Sequence, residues 1–126
     1  RNPGMDRKGV EGTLRRWFGA KRVIWLGRGI EGDDTDGHID DIARFVAPRT
    51  VVAVVEPDPA DPNHAILEDN LTRLAKLRDR NGRPFDILTI PMPKRIEREG
   101  QRLPATYLNF LFVNGALVFA DSAEQD

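Results

Sequence analysis

Cysteine is absent from this chain of 126 residues, and only two histidines are present. The lack of cysteine excludes disulfide bonds, thiolate zinc sites and a cysteine nucleophile within the chain. Basic and acidic side chains nearly balance, 19 against 20, which argues against nucleic acid or an anionic membrane as a partner. There is no apolar run long enough to span a bilayer and no secretion signal. These absences favour a cytoplasmic protein.

Hydrophobic periodicity predicts a mixed α/β chain. Helices are expected at 8–18 and 64–82, strands at 22–26, 38–46, 50–55 and 85–91, and a hairpin at 107–120 around Asn114-Gly115. The segment 38–46 fits a helix or a strand, and the strand that follows after a short turn favours the strand. Residues 38–91 then form one β-β-α-β unit, and a long polar connection leads to the hairpin.

The stretch "WLGRGIEGDDTDGHID" (25–40) contains G-x-G-x-x-G directly after an apolar run. A dinucleotide-binding loop requires a helix after the third glycine, so that the helix N-terminus faces phosphate. Here Gly32 is followed by "DDTDGH", whose carboxylates would repel a pyrophosphate. The residues after Gly32 therefore disfavour a nucleotide cofactor.

A metal centre is also disfavoured. An EF-hand loop with Gly37 as its sixth residue would have Gly32 first and Ala43 last, and neither supplies a carboxylate. "GDDTD" and "DGH" resemble two metallophosphoesterase motifs, but both would need Asp36. Two histidines cannot build an imidazole-rich site. We therefore expect no metal and no cofactor.

A carboxylate–histidine site is the remaining interpretation. If 38–46 is a strand, His38 and Asp40 point to the same face and Asp41 points to the other, because side chains alternate along a strand. An imidazole beside a carboxylate can bind a planar cation such as a guanidinium and move protons near neutral pH. Asp33, Asp36 and Asp41 are expected mainly to shape the loop.

"GDDTDGHIDDIARF" resembles the signature of the agmatine deiminase family, which is related to the bacterial peptidylarginine deiminases. "RNPG", "PMP", "LPATYLNF" and "NGALVFA" fall in the family's order and spacing. The resemblance implies an α/β pentein fold, a propeller of five β-β-α-β modules. The chain would supply about one complete module and parts of its two neighbours. Residues 1–126 would then be an internal fragment of a single catalytic domain.

The resemblance also implies a reaction. In the family, a cysteine thiolate attacks the guanidinium carbon of agmatine, ammonia leaves, and water releases N-carbamoylputrescine. By this match His38 is the general acid/base and Asp40 holds the guanidinium nitrogens. Asp34 would lie near the distal part of the substrate, and Asn109 would line the site.

The chain departs from the family pattern in lacking the nucleophilic cysteine segment and a second guanidinium-binding aspartate. The chain alone is therefore expected to be inactive. The stretch "DDTDGHID" closely resembles the agmatine deiminase signature, and this resemblance favours agmatine over peptidyl arginine as the substrate. Two other function classes stay open: a fragment of a metal-dependent hydrolase and a non-catalytic binding fragment. The sequence is also compatible with a homo-oligomer.

Overall fold

The computed structural model describes residues 4–33 and 37–119 of the chain. Its elements are α1 (Arg7–Phe18), a 3₁₀ turn (Ile39–Asp41), β1 (Ala43–Ala47), β2 (Thr50–Val55), α2 (Pro62–Ala75), β3 (Asp86–Pro91), β4 (Glu97–Arg98), β5 (Gln101–Arg102), β6 (Phe110–Val113) and β7 (Ala116–Phe119). The chain is thus a mixed α/β structure, as predicted. No helix within the described ranges is long and apolar enough to cross a membrane.

A three-stranded sheet in the order β1-β2-β3 forms the centre of the structure. β1 runs antiparallel to β2, and β3 runs parallel to β2 after the crossover through α2. The predicted β-β-α-β unit is therefore confirmed. β2 is the central strand and reads "TVVAVV", an unbroken apolar run typical of a strand buried on both faces. Val51, Ala53 and Val54 are all buried.

Helix α2 begins two residues before the predicted start and ends earlier than predicted. Asp61 caps it by accepting a hydrogen bond from the backbone N–H of Asn63. The helix stops at Ala75, whereas the prediction extended it to 82. The carboxylate of Asp79 instead accepts the backbone N–H groups of Asn81 and Arg83. This local side-chain bonding stabilises a turn in competition with the helix.

Helix α1 confirms the prediction for 8–18, with Asp6 as its N-cap and Gly19 at φ 64° after its last residue. None of its residues is buried. Trp17 and Phe18, which the periodicity assigns to an apolar face, are 75% and 79% exposed. The pattern therefore predicts the helix but not the burial of its face.

The predicted strand at 22–26 is wrong. The segment joins no ladder with a described strand, because a strand needs a partner that β propensity alone does not supply. Its side chains bond elsewhere instead. Arg22 donates to the carbonyl of Arg78, and the Trp25 indole donates to Glu11 at 2.9 Å.

The predicted strand at 38–46 is correct only in its second half. Its pairing with 50–55 is confirmed from Ala43 onward, but Ile39–Asp41 form a 3₁₀ turn. The N–H of Asp41 bonds to the carbonyl of His38 and that of Ile42 to the carbonyl of Ile39. These bonds close the backbone into a turn just before the sheet begins, and they change which side chains meet.

The hairpin around Asn114-Gly115 is confirmed for β6 and β7, while Ala120 lies outside the described residues. Both turn residues have positive φ, 42° and 86°, as a type I′ turn requires. A second small hairpin, β4–β5, lies within the long polar connection. Within residues 4–33 and 37–119 the strands form three separate sheets and no closed ring.

Candidate functional site

Two buried asparagines on α2 hold the glycine-rich segment 27–32. The Oδ1 atom of Asn70 accepts the backbone N–H of Gly27 at 2.6 Å, and its Nδ2 donates to the carbonyl of Arg28 at 3.0 Å. The Oδ1 atom of Asn63 accepts the N–H of Glu31 at 2.7 Å. Both side chains are at most 1% exposed. The amides thus satisfy backbone groups that would otherwise lack partners.

Replacement of Asn70 by alanine is expected to lower the free energy of unfolding by about 2–4 kcal/mol, because two hydrogen bonds of a buried side chain are lost and its place in the core is left unfilled. Urea unfolding of the full-length protein measures this. Glu68→Ala is the matched control, since Glu68 is exposed on the same helix, and it should stay within about 0.5 kcal/mol. Equal losses in both variants would show that Asn70 does not hold the loop.

The loop closes on itself through two glycines and one aspartate. A Cβ on Gly29 would lie 2.6 Å from the Cα of Gly37, so only glycine permits this approach. Asp33 Oδ2 accepts the backbone N–H groups of Gly37 at 2.9 Å and of His38 at 2.6 Å. Asp33 therefore fixes the backbone on which His38 is carried, which agrees with its predicted role in shaping the loop.

A buried arginine holds the loop from its other side. The guanidinium of Arg102 donates to Asp61 at 2.6 Å and to Glu31 at 3.1 Å, and Arg95 donates to the same Glu31 oxygen at 2.9 Å. Gly32, at φ 91°, lies so close to the carbonyl of Arg102 that a Cβ would clash with it. The loop, the N-terminus of α2 and the β4–β5 hairpin are thus joined in one ionic network.

The 3₁₀ turn brings Asp41 back towards His38. Residues three apart lie on the same side of a 3₁₀ turn, and one ligand atom from each of Asp33, His38 and Asp41 lies within 4.8 Å of the other two. The prediction that Asp41 points away from His38 is therefore wrong. The error follows from the strand assignment, since the alternation of a strand does not apply to a turn.

Asp41 is a buried carboxylic acid, 7% exposed. Among the described residues its side chain has no hydrogen-bond or ion-pair partner. Burial raises the pKa of the Asp41 carboxyl, and repulsion from the carboxylates of Asp40 and Asp33 raises this pKa further, while His38 acts in the opposite direction. A positive charge close to Asp41 would therefore favour its ionised form.

Replacement of Asp41 by asparagine is expected to stabilise the folded protein at pH 7 by about 1 kcal/mol. A raised pKa means that stability falls as the pH rises from the unfolded-state carboxyl pKa of about 4 to the higher folded-state pKa of Asp41. The neutral amide removes this effect, so the gain should vanish below about pH 4, where the carboxyl is protonated in both states. Thermal unfolding across this pH range measures it, with exposed Asp86→Asn as the control. An equal gain at all pH values would contradict the argument.

The other predicted site residues have different outcomes. Asp40 is half-buried and, within the described part of the chain, has no ion pair or side-chain hydrogen bond. Asn109 is exposed, and its segment is tied to the 3₁₀ turn because the Thr106 hydroxyl donates to the carbonyl of Asp41 at 3.4 Å. The guanidinium of Arg44, on β1, also binds this segment by donating to the carbonyl of Leu108 at 3.2 Å. Asp34 lies outside the described residues.

Sequence reasoning missed the supporting residues. Asn63 and Asn70 lie on the same buried stripe of α2 as Leu67 and Leu74, and a polar residue within an apolar stripe signals a buried hydrogen bond. No comparable pattern indicates Arg102. A surface cleft is lined by Arg22, Pro48, Arg49, Asp79, Arg80, Asn81, Arg83 and Phe85. None of the predicted site residues lines it.

Comparisons with known proteins agree on one group. Residues 1–126 match the family described as Porphyromonas-type peptidyl-arginine deiminase. A Legionella pneumophila (strain Paris) protein named "Putative agmatine deiminase" is 40% identical over 118 residues, covering 94% of this chain and 34% of that protein. The agmatine deiminase of Medicago truncatula is 33% identical, covering 94% of this chain and 37% of its own length.

Solved structures give the same result. A C. jejuni agmatine deiminase with a cysteine-to-serine substitution, bound to substrate, superimposes with a TM-score of 0.81 at 39% identity. The match covers 93% of this chain and 34% of that one. The mixed α/β fold described above is therefore that of a segment of these proteins. The chain spans about a third of the length of the relatives it matches.

Proposed function

Because the chain belongs to the Porphyromonas-type peptidyl-arginine deiminase family, we propose that the full-length protein is a guanidine-modifying hydrolase whose substrate is agmatine. Agmatine and water would give N-carbamoylputrescine and ammonia. The chain would be an internal part of one pentein catalytic domain in a cytoplasmic enzyme. The names of the Legionella, Medicago and C. jejuni relatives support agmatine over other guanidines.

The observation that carries the proposal is a pair of acidic side chains beside a histidine. Asp40 and Asp41 have no cationic partner in the described part of the chain, and His38 is exposed next to them. A guanidinium would bring a positive charge close to both carboxylates and would supply N–H donors to Asp40. The half-buried carboxylate of Asp40 would bind the guanidinium nitrogens, since a partly desolvated charge binds a cation more strongly than an exposed one.

His38 would transfer protons at the reacting carbon. Its exposed imidazole can reach a bound guanidinium, and imidazole is the side chain best suited to exchange protons near neutral pH. The departing amino group must gain a proton to leave as ammonia, and water must lose a proton as it attacks. A single acid/base group would serve both steps. The nucleophilic cysteine would have to come from outside this chain, which contains none.

Release of ammonia from agmatine by the purified full-length protein tests the proposal. We expect agmatine to be converted to a product about 1 Da heavier, which mass spectrometry detects. A peptidyl-arginine substrate and free arginine serve as the comparison substrates. Faster conversion of peptidyl arginine would assign the protein to the other activity of the family. Failure to convert any of the three guanidines would refute the proposed function.

A further inference from the structure

Three side chains at the 3₁₀ turn together have the chemistry of a transition-metal site. Asp33, His38 and Asp41 each present one ligand atom, and the three atoms lie within 4.8 Å of one another. Two carboxylate oxygens and one imidazole nitrogen are ligands that Zn²⁺ accepts at about 2.0–2.2 Å, with ligand atoms roughly 3.3 Å apart in a tetrahedral site. Small side-chain rotations would close the cluster to this geometry.

The side chain of Asp41 points independently to a cation. It is 7% exposed and has no donor or counter-ion among the described residues. A buried carboxylate is normally hydrogen-bonded, paired or bound to a metal. Its ligand atom lies within 4.8 Å of those of Asp33 and His38. A cation between the three atoms would offset the repulsion between the two carboxylates.

The other two ligands differ in how firmly they are held. The Oδ2 atom of Asp33 is fixed by two backbone N–H groups, and such outer contacts orient a carboxylate for metal binding. His38 is exposed, so an ion can enter from solvent and complete the site with water. The imidazole favours zinc-like ions over Ca²⁺ and Mg²⁺, which prefer oxygen ligands only.

We propose that Asp33, His38 and Asp41 form an inhibitory binding site for Zn²⁺ or a similar divalent transition-metal ion. The metal and the guanidinium would exclude each other, because both require His38 and both satisfy the same negative charge. Metal binding itself depends only on these three side chains. Its effect on turnover rests on the proposed function.

Calorimetric titration of Zn²⁺ into the full-length protein and four variants tests the site. His38→Ala and Asp41→Asn should each weaken zinc binding by about tenfold or more, since each removes a ligand. Asp40→Asn and Asp86→Asn keep all three ligands and should stay within about threefold. His38 is exposed, so His38→Ala tests the site even if Asp41→Asn fails to fold. Equal affinity in all variants, or no saturable binding, would overturn the proposal.

Addition of agmatine separates this proposal from the previous one. In the parent protein agmatine should raise the apparent Kd for zinc, and in Asp40→Asn it should not, because that variant retains the metal ligands but loses the guanidinium partner. If zinc binds through His38 and Asp41 while agmatine has no effect, the metal site stands and the proposed substrate is wrong. If agmatine is hydrolysed while zinc affinity is the same in every variant, the metal site is wrong.

Discussion

Replacement of Asp40 by asparagine in the full-length protein is expected to lower kcat/KM for agmatine by roughly thirty- to a thousandfold, which corresponds to about 2–4 kcal/mol. The change keeps the size of the side chain but removes the charge that would neutralise the guanidinium. The asparagine amide would also present an N–H donor where the substrate needs an acceptor. Asp40 is half-buried, so water cannot fully replace the lost interaction. Steady-state kinetics measure the effect.

Two variants with the same chemical change provide the controls. Asp86 is exposed at the start of β3, and Asp86→Asn should leave kcat/KM within about twofold. Asp41→Asn should cost more than this but less than Asp40→Asn, because Asp41 lies beside His38 without a proposed contact to the substrate. If Asp41→Asn lowers kcat/KM more than Asp40→Asn does, Asp41 and not Asp40 binds the guanidinium.

The sequence predicted the central unit because its signals are local. The apolar run of β2, the capped stripe of α2 and the Asn-Gly turn each determine one element without help from distant residues. The segment 22–26 has the same apolar character, yet it forms no ladder with a described strand. Its local signal carried no information about pairing.

The site was predicted in its residue types but not in its geometry. A histidine followed by two aspartates was interpreted as alternation along a strand, and the 3₁₀ turn replaces that alternation with a contact between residues three apart. The Asp33 carboxylate also accepts two backbone N–H groups at the far end of the loop. Bonds between a side chain and the backbone four and five residues away leave no periodic trace in the sequence, so periodicity could not reveal them.

Replacement of Arg102 by leucine is expected to lower the free energy of unfolding at pH 7 by about 2–4 kcal/mol. Removal of one partner from a buried ion pair typically costs 3–5 kcal/mol. The partial exposure of Asp61 and Glu31, 12% and 39% for their side chains, reduces that figure because water can solvate the carboxylates left behind. Arg98→Leu is the control, since Arg98 is exposed on the same hairpin, and it should stay within about 0.5 kcal/mol.

The pH dependence of this loss separates the charge of Arg102 from the packing of its stem. The hydrogen bond from Arg102 lowers the pKa of the Asp61 carboxyl. A lowered pKa gives stability that is present above the ordinary carboxyl pKa of about 4 and is lost as the pH falls through the folded-state value. The parent should therefore lose more stability than Arg102→Leu between pH 7 and about pH 3, and the two unfolding curves should converge. A difference that stays constant across this range would show that Arg102 holds the glycine loop by packing, and that the ion pair with Asp61 contributes nothing measurable.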